Sequence, residues 1–233
     1  MKQILKTLFD RYQIEYTEEM LEKLNKYYNI VLEQNQTMNL TRIVSKEDFA
    51  IKNILDSVLP IKIIPNGATV VDVGTGAGLP GIPIKILRSD IKLTLIDSLQ
   101  KRVNFLKKVV EIFEFKDVKC EHSRAEDFAK DNRECFDVCV SRAVARLNTL
   151  CEYCLPLVKI NGIMIAYKSL KAKEELKEAK KAINILGGKI ENLQNVIIKE
   201  ENSIRTNIII TKIKQTPLTY PRPKNLPKTK PII

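Results

Sequence analysis

The sequence predicts an α/β fold: a seven-stranded, mostly parallel, doubly wound sheet behind an N-terminal helical appendage. Three observations carry that expectation. Val70-Val71-Asp72-Val73 is an apolar run closed by an acid, followed by the glycine-dense Gly74-Thr75-Gly76-Ala77-Gly78-Leu79-Pro80-Gly81 and by Ile82-Pro83-Ile84-Lys85-Ile86-Leu87, which can be helical. Strand, loop and helix in that order open a nucleotide-binding α/β unit. About twenty residues on, Lys92-Leu93-Thr94-Leu95-Ile96 reads as a second buried strand ending in Asp97. Further short apolar runs then alternate with helical patterns, which is how a parallel sheet is encoded.

In order along the chain, Ile4, Leu5, Leu8, Phe9 and Tyr12 recur at helical intervals, so residues 2–12 form a short amphipathic helix. Thr17 offers an N-cap, Glu18 and Glu19 suit the first turn, and Leu21, Leu24, Tyr28, Val31 and Leu32 continue one face to about residue 35. Ser45-Lys46-Glu47-Asp48 resembles a capping box with Asp for Glu, and Ile51, Ile54, Leu55 and Val58 mark a third helix ending near Pro60. Residues 1–60 are therefore the helical appendage and 61–213 the sheet domain. Within that domain, residues 101–113 form a helix and 117–121 a third strand. Residues 136–140 and 163–167 are the fourth and fifth strands, on either side of a helix over 147–157 and an Asn161-Gly162 turn. A charged helix from Leu170 to Leu186 stops at Gly187-Gly188, and strands at roughly 189–199 and 205–213 complete the sheet.

Glycines in the first loop let a ligand approach backbone N–H groups without meeting a Cβ. A dinucleotide fingerprint needs Gly-x-Gly-x-x-Gly, whereas Gly74, Gly76 and Gly78 give Gly-x-Gly-x-Gly and Leu79 stands where the third glycine belongs. With Asp97 placed for ribose hydroxyls, the ligand is of adenosine type, and the spacing favours S-adenosylmethionine over NAD. A tight turn beside a solvated Asp is the bland alternative. Ala125 and Glu126 follow the third strand, where an adenine edge could be read or a short helix merely capped. Arg142 stands at the end of the fourth strand, able to clamp a carboxylate or phosphate, and Lys168 ends the fifth, facing the same edge.

Composition bounds the partner. The net charge is +11, which favours a polyanion such as RNA, although a lysine-rich solubilised surface would look the same. No apolar stretch approaches a membrane span, and the first residues lack a signal-peptide core, so a cytoplasmic protein is expected. The five cysteines are odd in number, and Cys151-x-x-Cys154 lies in a helical pattern with a single histidine, His122, in the whole chain. Reduced buried thiols are expected rather than zinc. Residues 214–233 form a basic, proline-rich tail that either packs on the domain or extends from it: over residues 212–233 there are six Lys or Arg, five Pro and no acid. It reads as extended and able to lie along phosphates, or else as a solubilising tail.

Several segments together resemble one family: Asn39-Leu40-Thr41, Ile54-Leu55-Asp56-Ser57, Val71 through Pro83, Leu95-Ile96-Asp97-Ser98, Lys101-Arg102, Ser141-Arg142-Ala143 and Tyr220-Pro221-Arg222. They are similar to the bacterial 16S ribosomal RNA guanine-N7 methyltransferases, formerly called glucose-inhibited division protein B. The resemblance runs from about residue 30 to the C-terminus. It implies a Rossmann-like class I S-adenosylmethionine-dependent methyltransferase acting on the small ribosomal subunit, at position 527 in the conventional numbering, as a monomer without metal. Carried over residue by residue, it implies cofactor binding by Asp72, Gly74, Gly76, Gly78, Leu79, Asp97, Ser98, Ala125, Glu126 and Arg142. It also implies positioning of the reacting base by Arg142, Asn39 and Lys168, with residues 35–42, Asn53 and Asp56 as a wall of the RNA pocket and Tyr220-Pro221-Arg222 near the RNA. Many relatives carry histidine where this chain has Asn53.

Guanine N7 bears a lone pair and no proton, so its methylation needs positioning and no general base. The fourth strand's end lacks the Asn/Asp-Pro-Pro-aromatic motif of exocyclic-amine methyltransferases, and no Pro-Cys or Thr-Cys nucleophile of the cytosine-C5 kind occurs. A methyltransferase for another substrate and a non-catalytic RNA-binding factor are the alternative readings.

Overall fold

The computed structural model describes residues 1–168 and 171–233; the expected helix start at Leu170 lies outside the described residues. Two N-terminal helices, α1 (Lys2–Tyr12) and α2 (Glu18–Met38), come first, and the Thr17 hydroxyl accepts from Met20 N to cap the second. α3 (Lys46–Phe49) begins at Ser45, whose side chain accepts from Asp48 N at 3.1 Å. The single third helix expected from periodicity is then interrupted. Ala50–Leu55 is π-helical, with Asp56 N donating to Ile51 O five residues back, before α4 (Asp56–Val58) resumes. An apolar pattern spaced for an α-helix cannot register one residue too many per turn, and such widened turns concentrate at functional sites.

The remaining elements are β1 (Thr69–Val73), α5 (Gly81–Leu87), β2 (Lys92–Asp97), α6 (Gln100–Ile112), β3 (Val118–His122), α7 (Ala125–Asp131) and β4 (Phe136–Arg142). After them come α8 (Leu147–Cys154), β5 (Val158–Lys168), α9 (Ala172–Ile185), β6 (Gly188–Ile198), β7 (Ser203–Lys212) and the short α10 (Leu226–Thr229). The seven strands lie in the order β3-β2-β1-β4-β5-β7-β6. β1 to β5 run parallel, and β7 is inserted antiparallel between β5 and β6. Asn161 and Gly162, expected as a turn before β5, lie inside it opposite a register irregularity between Phe136 and Val138.

Central strands are buried on both faces, as parallel sheets require. Val70 joins an apolar cluster with Leu5, Phe9, Leu24, Phe49 and Ile82, while Val71 and Val73 join Cys139, Leu150, Cys151 and Ile183 on the other side. The N-terminal helices thus share one core with the sheet. Two buried tyrosines tie them down: Tyr27 OH donates to Ala77 O in the glycine loop at 2.8 Å, and Tyr167 OH in β5 donates to Ser57 O at 2.7 Å. All five cysteines are free; Cys139, Cys151 and Cys154 are buried, Cys120 is half-buried and Cys135 is exposed.

Candidate active site

Strand order reverses between β1 and β4, so the connections leave their carboxyl ends in opposite directions and open a crevice there. A cleft of about 350 Å³ lies at that point, lined by Gly74, Asp97 and Ser98 and by Ser123 to Glu126. Val144, Tyr153 and Asn225 complete its wall.

The glycine loop is shaped by three left-handed residues, Gly74 (φ 72°), Gly76 (φ 61°) and Gly78 (φ 99°). A Cβ on Gly74 would run into the Val144 side chain, whereas one on Gly76 would meet nothing within 4 Å. Gly76 is thus required for its conformation, Gly74 for both conformation and space. Asp97, 3% exposed, locks the loop to β2: Oδ2 accepts from Gly76 N at 3.0 Å and Oδ1 from Leu99 N at 2.9 Å, with Arg102 Nη1 at 3.3 Å.

Asp72 holds the loop from beneath. Fully buried, its Oδ2 accepts from Thr75 Oγ1 at 2.6 Å and Gly81 N at 2.8 Å, so one carboxylate oxygen joins both ends of the turn. Its Oδ1 is buried without a partner, and burial pushes its pKa up to about 6 against the pull of those bonds. Gly81 does the work sought at Leu79: a Cβ there would stand 2.5 Å from Leu95 Cδ2 and 2.9 Å from Asp72 Oδ2, so only glycine brings α5 this close to the sheet. Leu79 itself is buried in the core.

Of the sequence-derived cofactor residues, Gly74, Asp97, Ser98, Ala125 and Glu126 line the cleft, while Asp72, Gly76, Gly78 and Leu79 support it from behind. Arg142 lies elsewhere. It lines an adjoining pocket of about 620 Å³ with Asn53, Asp56, Tyr167, Lys168 and Arg205. Its guanidinium donates to Lys52 O at 2.7 Å, Asp56 Oδ2 at 3.2 Å and Asn53 Oδ1 at 3.0 Å. Since a guanidinium only donates, the Asn53 amide nitrogen must face away, and it is buried without a partner. Burial raises the Asp56 pKa, opposed by Arg142 and Arg205. Lys168 donates to Ala145 O and Glu175 Oε2, both at 2.7 Å. Asn39, the left-handed C-cap of α2 at φ 50°, is exposed and lines neither pocket. Val144 lines both and forms their shared wall.

The C-terminal tail packs on the domain, one of the two placements expected of it. Arg222 donates to the fully buried Glu152 in a bidentate pair, Nε to Oε1 at 2.9 Å and Nη2 to Oε2 at 2.7 Å. Lys212, also fully buried, is taken up by Glu134 and by Leu155 O and Val158 O. The four exposed tail lysines are Lys214, Lys224, Lys228 and Lys230. Leu99, Ser123, Arg124, Val144, Tyr153 and Asn225 escaped the sequence reading. The first three adjoin residues that were read; the others come together only in the folded chain. Among the described residues no group of three or more His, Cys, Asp or Glu could hold a metal, and no helix is long and apolar enough to cross a membrane.

Comparison with known proteins agrees with this geometry. A SAM-dependent methyltransferase from Aquifex aeolicus superposes with a TM-score of 0.54 at 17% identity, covering 74% of this chain and 97% of that one. P. horikoshii TYW2 in complex with MeSAdo gives a TM-score of 0.56 at 17% identity, over 68% of this chain and 62% of the other. These likenesses show the Rossmann-like methyltransferase fold. In sequence, the ribosomal RNA small subunit methyltransferase G of Desulforamulus reducens is 45% identical over 232 residues, 98% of this chain and 97% of that protein. The protein of the same name from Alkaliphilus oremlandii is 45% identical over 236 residues, 100% of this chain and 99% of the relative. The family model described as "GidB: rRNA small subunit methyltransferase G" matches residues 20–204. With its glycine loop, Asp97 and strand order in place, this chain belongs to the GidB family of rRNA small subunit methyltransferase G proteins.

Proposed function

We propose that the protein transfers a methyl group from S-adenosylmethionine to N7 of a guanine in small-subunit ribosomal RNA, the nucleotide at position 527 by family likeness, as a cytoplasmic monomer. One observation carries the reading: a cleft framed by Gly74 and Asp97 adjoins a second pocket lined by Arg142, Lys168 and Arg205, and among the described residues Val144 alone lines both. The residues fit the cofactor. Gly74 lines the cleft without a Cβ, and Asp97 is held at the cleft by two backbone amides. When bound, S-adenosylmethionine supplies a methyl already activated by its sulfonium.

Gly74, Asp97, Ser98, Ala125 and Glu126 would hold the nucleoside, and Asp72, Gly76, Gly78 and Leu79 would keep the loop in its binding shape. Arg142 and Lys168 would orient the base from the second pocket, their positions set by Asn53, Asp56 and Glu175. Asn39, outside both pockets, would meet RNA beyond the target base. An N7 lone pair needs no general base, and Asp56 and Glu175 are both held in ion pairs with cations of the pocket.

The test is methylation of unmodified small subunits with labelled cofactor, followed by N7-specific strand cleavage and primer extension. One stop at a single guanine is expected. Labelled RNA without N7 cleavage would move the reading to another atom, and label confined to protein or small molecules would end it. Asp97→Ala should abolish measurable cofactor binding in titration calorimetry; near-wild-type affinity would remove the ribose assignment.

A further inference from the structure

The tail of this chain reaches the cofactor cleft. Pro223 to Leu226 forms a tight turn closed by Leu226 N donating to Pro223 O at 3.2 Å, with both central residues left-handed, Lys224 at φ 55° and Asn225 at φ 61°. That pairing matches a type I′ turn, which presents its two central side chains at a tip. Asn225 at this tip lines the same cleft as Gly74, Asp97 and Ser98.

The tip is held from both sides. Upstream, Arg222 is fixed by its bidentate pair with Glu152, and Arg133 donates to Tyr220 O at 2.6 Å and Thr216 O at 2.7 Å. Downstream, the Thr149 hydroxyl donates to Pro227 O at 3.0 Å, and the Asn225 carbonyl accepts from Lys228 N and Thr229 N. Glu152 and Thr149 belong to α8, the helix that also supplies Tyr153 to the cleft. A shared anchor thus sets the tail and one wall of the cleft together.

We infer that the C-terminal strap is part of the cofactor site and that Asn225 makes a polar contact to the bound cofactor, with Arg222 and Glu152 as positioning residues. This rests on the cofactor reading above. An amide brings both a donor and an acceptor, which suits a ligand whose base and ribose carry both kinds of group. Asparagine is also, after glycine, the residue that best tolerates a left-handed backbone. The turn alone would therefore explain a small polar residue, and the test must separate backbone from amide.

Asn225→Gly does so, since glycine keeps the turn and removes the amide. Titration calorimetry with S-adenosylhomocysteine on the full chain should show wild-type binding and about a 3- to 10-fold weaker Kd for Asn225→Gly at unchanged melting temperature, the weight of one hydrogen bond. Asn225→Asp, which also accepts the turn but loses the donors, is the second variant and should be weakened as well. If the wild type binds and both variants match it within about 1.5-fold, the inference falls while the cofactor reading stands. If the wild type does not bind, the cofactor reading itself falls.

Discussion

Asp72 shows how one buried side chain can shape a loop beside a cleft that it does not itself line. Its pKa is pushed up to about 6 by burial, above the roughly 3.9 of an exposed carboxyl. Between those values the folded protein holds a proton that the unfolded chain releases, so stability falls as pH rises. Asp72's contribution is complete below about pH 4 and is lost as pH passes through about 6, on the order of 3 kcal/mol. Asn keeps an acceptor for Gly81 N but cannot ionise. Urea midpoints measured at pH 4.5 and 7.5 should fall further for the wild type than for Asp72→Asn, and equal falls would refute this account. Gly81→Ala should cost about 1–3 kcal/mol by overpacking and weaken cofactor binding, because the added methyl would press on Asp72 and Leu95. Paired measurement of unfolding and affinity checks both effects. At this scale the sequence was readable wherever chemistry is local, in Gly74, Gly76 and Asp97. Arg142, which the family likeness puts on the cofactor, lines the neighbouring pocket, where Asn53 and Asp56 hold its guanidinium, a direction that no local pattern encodes.

The strands and most helices were legible as elements because each carries its own period and cap, as Thr17 and Ser45 do. The tail was not. Its lysines, arginine and prolines describe a soluble arm equally well, and nothing near Arg222 in sequence announces Glu152 seventy residues earlier. The pairing is asymmetric, since Glu152 is fully enclosed while the Arg222 side chain is 26% exposed. Arg222→Ala leaves the buried carboxylate with the backbone N–H of residue 222 in place of the guanidinium, and should cost about 3 kcal/mol. Glu152→Ala leaves a guanidinium that can swing to water and should cost clearly less. Chemical denaturation of the two variants, with limited proteolysis of residues 214–233, checks the order; the reverse order would show that the carboxylate is relieved some other way.

Across the whole molecule the net charge is +11, and internal ion pairs, which take up one charge of each sign, leave it unchanged. Lys212 and Arg222 face carboxylates, while Lys214, Lys224, Lys228 and Lys230 are exposed. RNA affinity should fall linearly with salt on a double-logarithmic plot, and Lys228→Ala with Lys230→Ala should reduce the slope by about 1.4 if both meet phosphates, roughly 0.7 for each on single strands. An unchanged slope would place the RNA on another face. The helical appendage, read as an addition to the sheet domain, is joined to it by shared core and by Tyr27 on the glycine loop, a connection no local pattern encodes. Within that appendage, the π-helical turn makes the number of residues matter. Removing Ile54 would close the widened turn into ordinary α-helix and leave Asn53 and Asp56 two positions apart, about 200° around the axis, so that the two would no longer face Arg142 together. Chain length in that interval is thus under constraint as well as spelling, and a frame-preserving deletion there would be more damaging than most exchanges of one side chain for another.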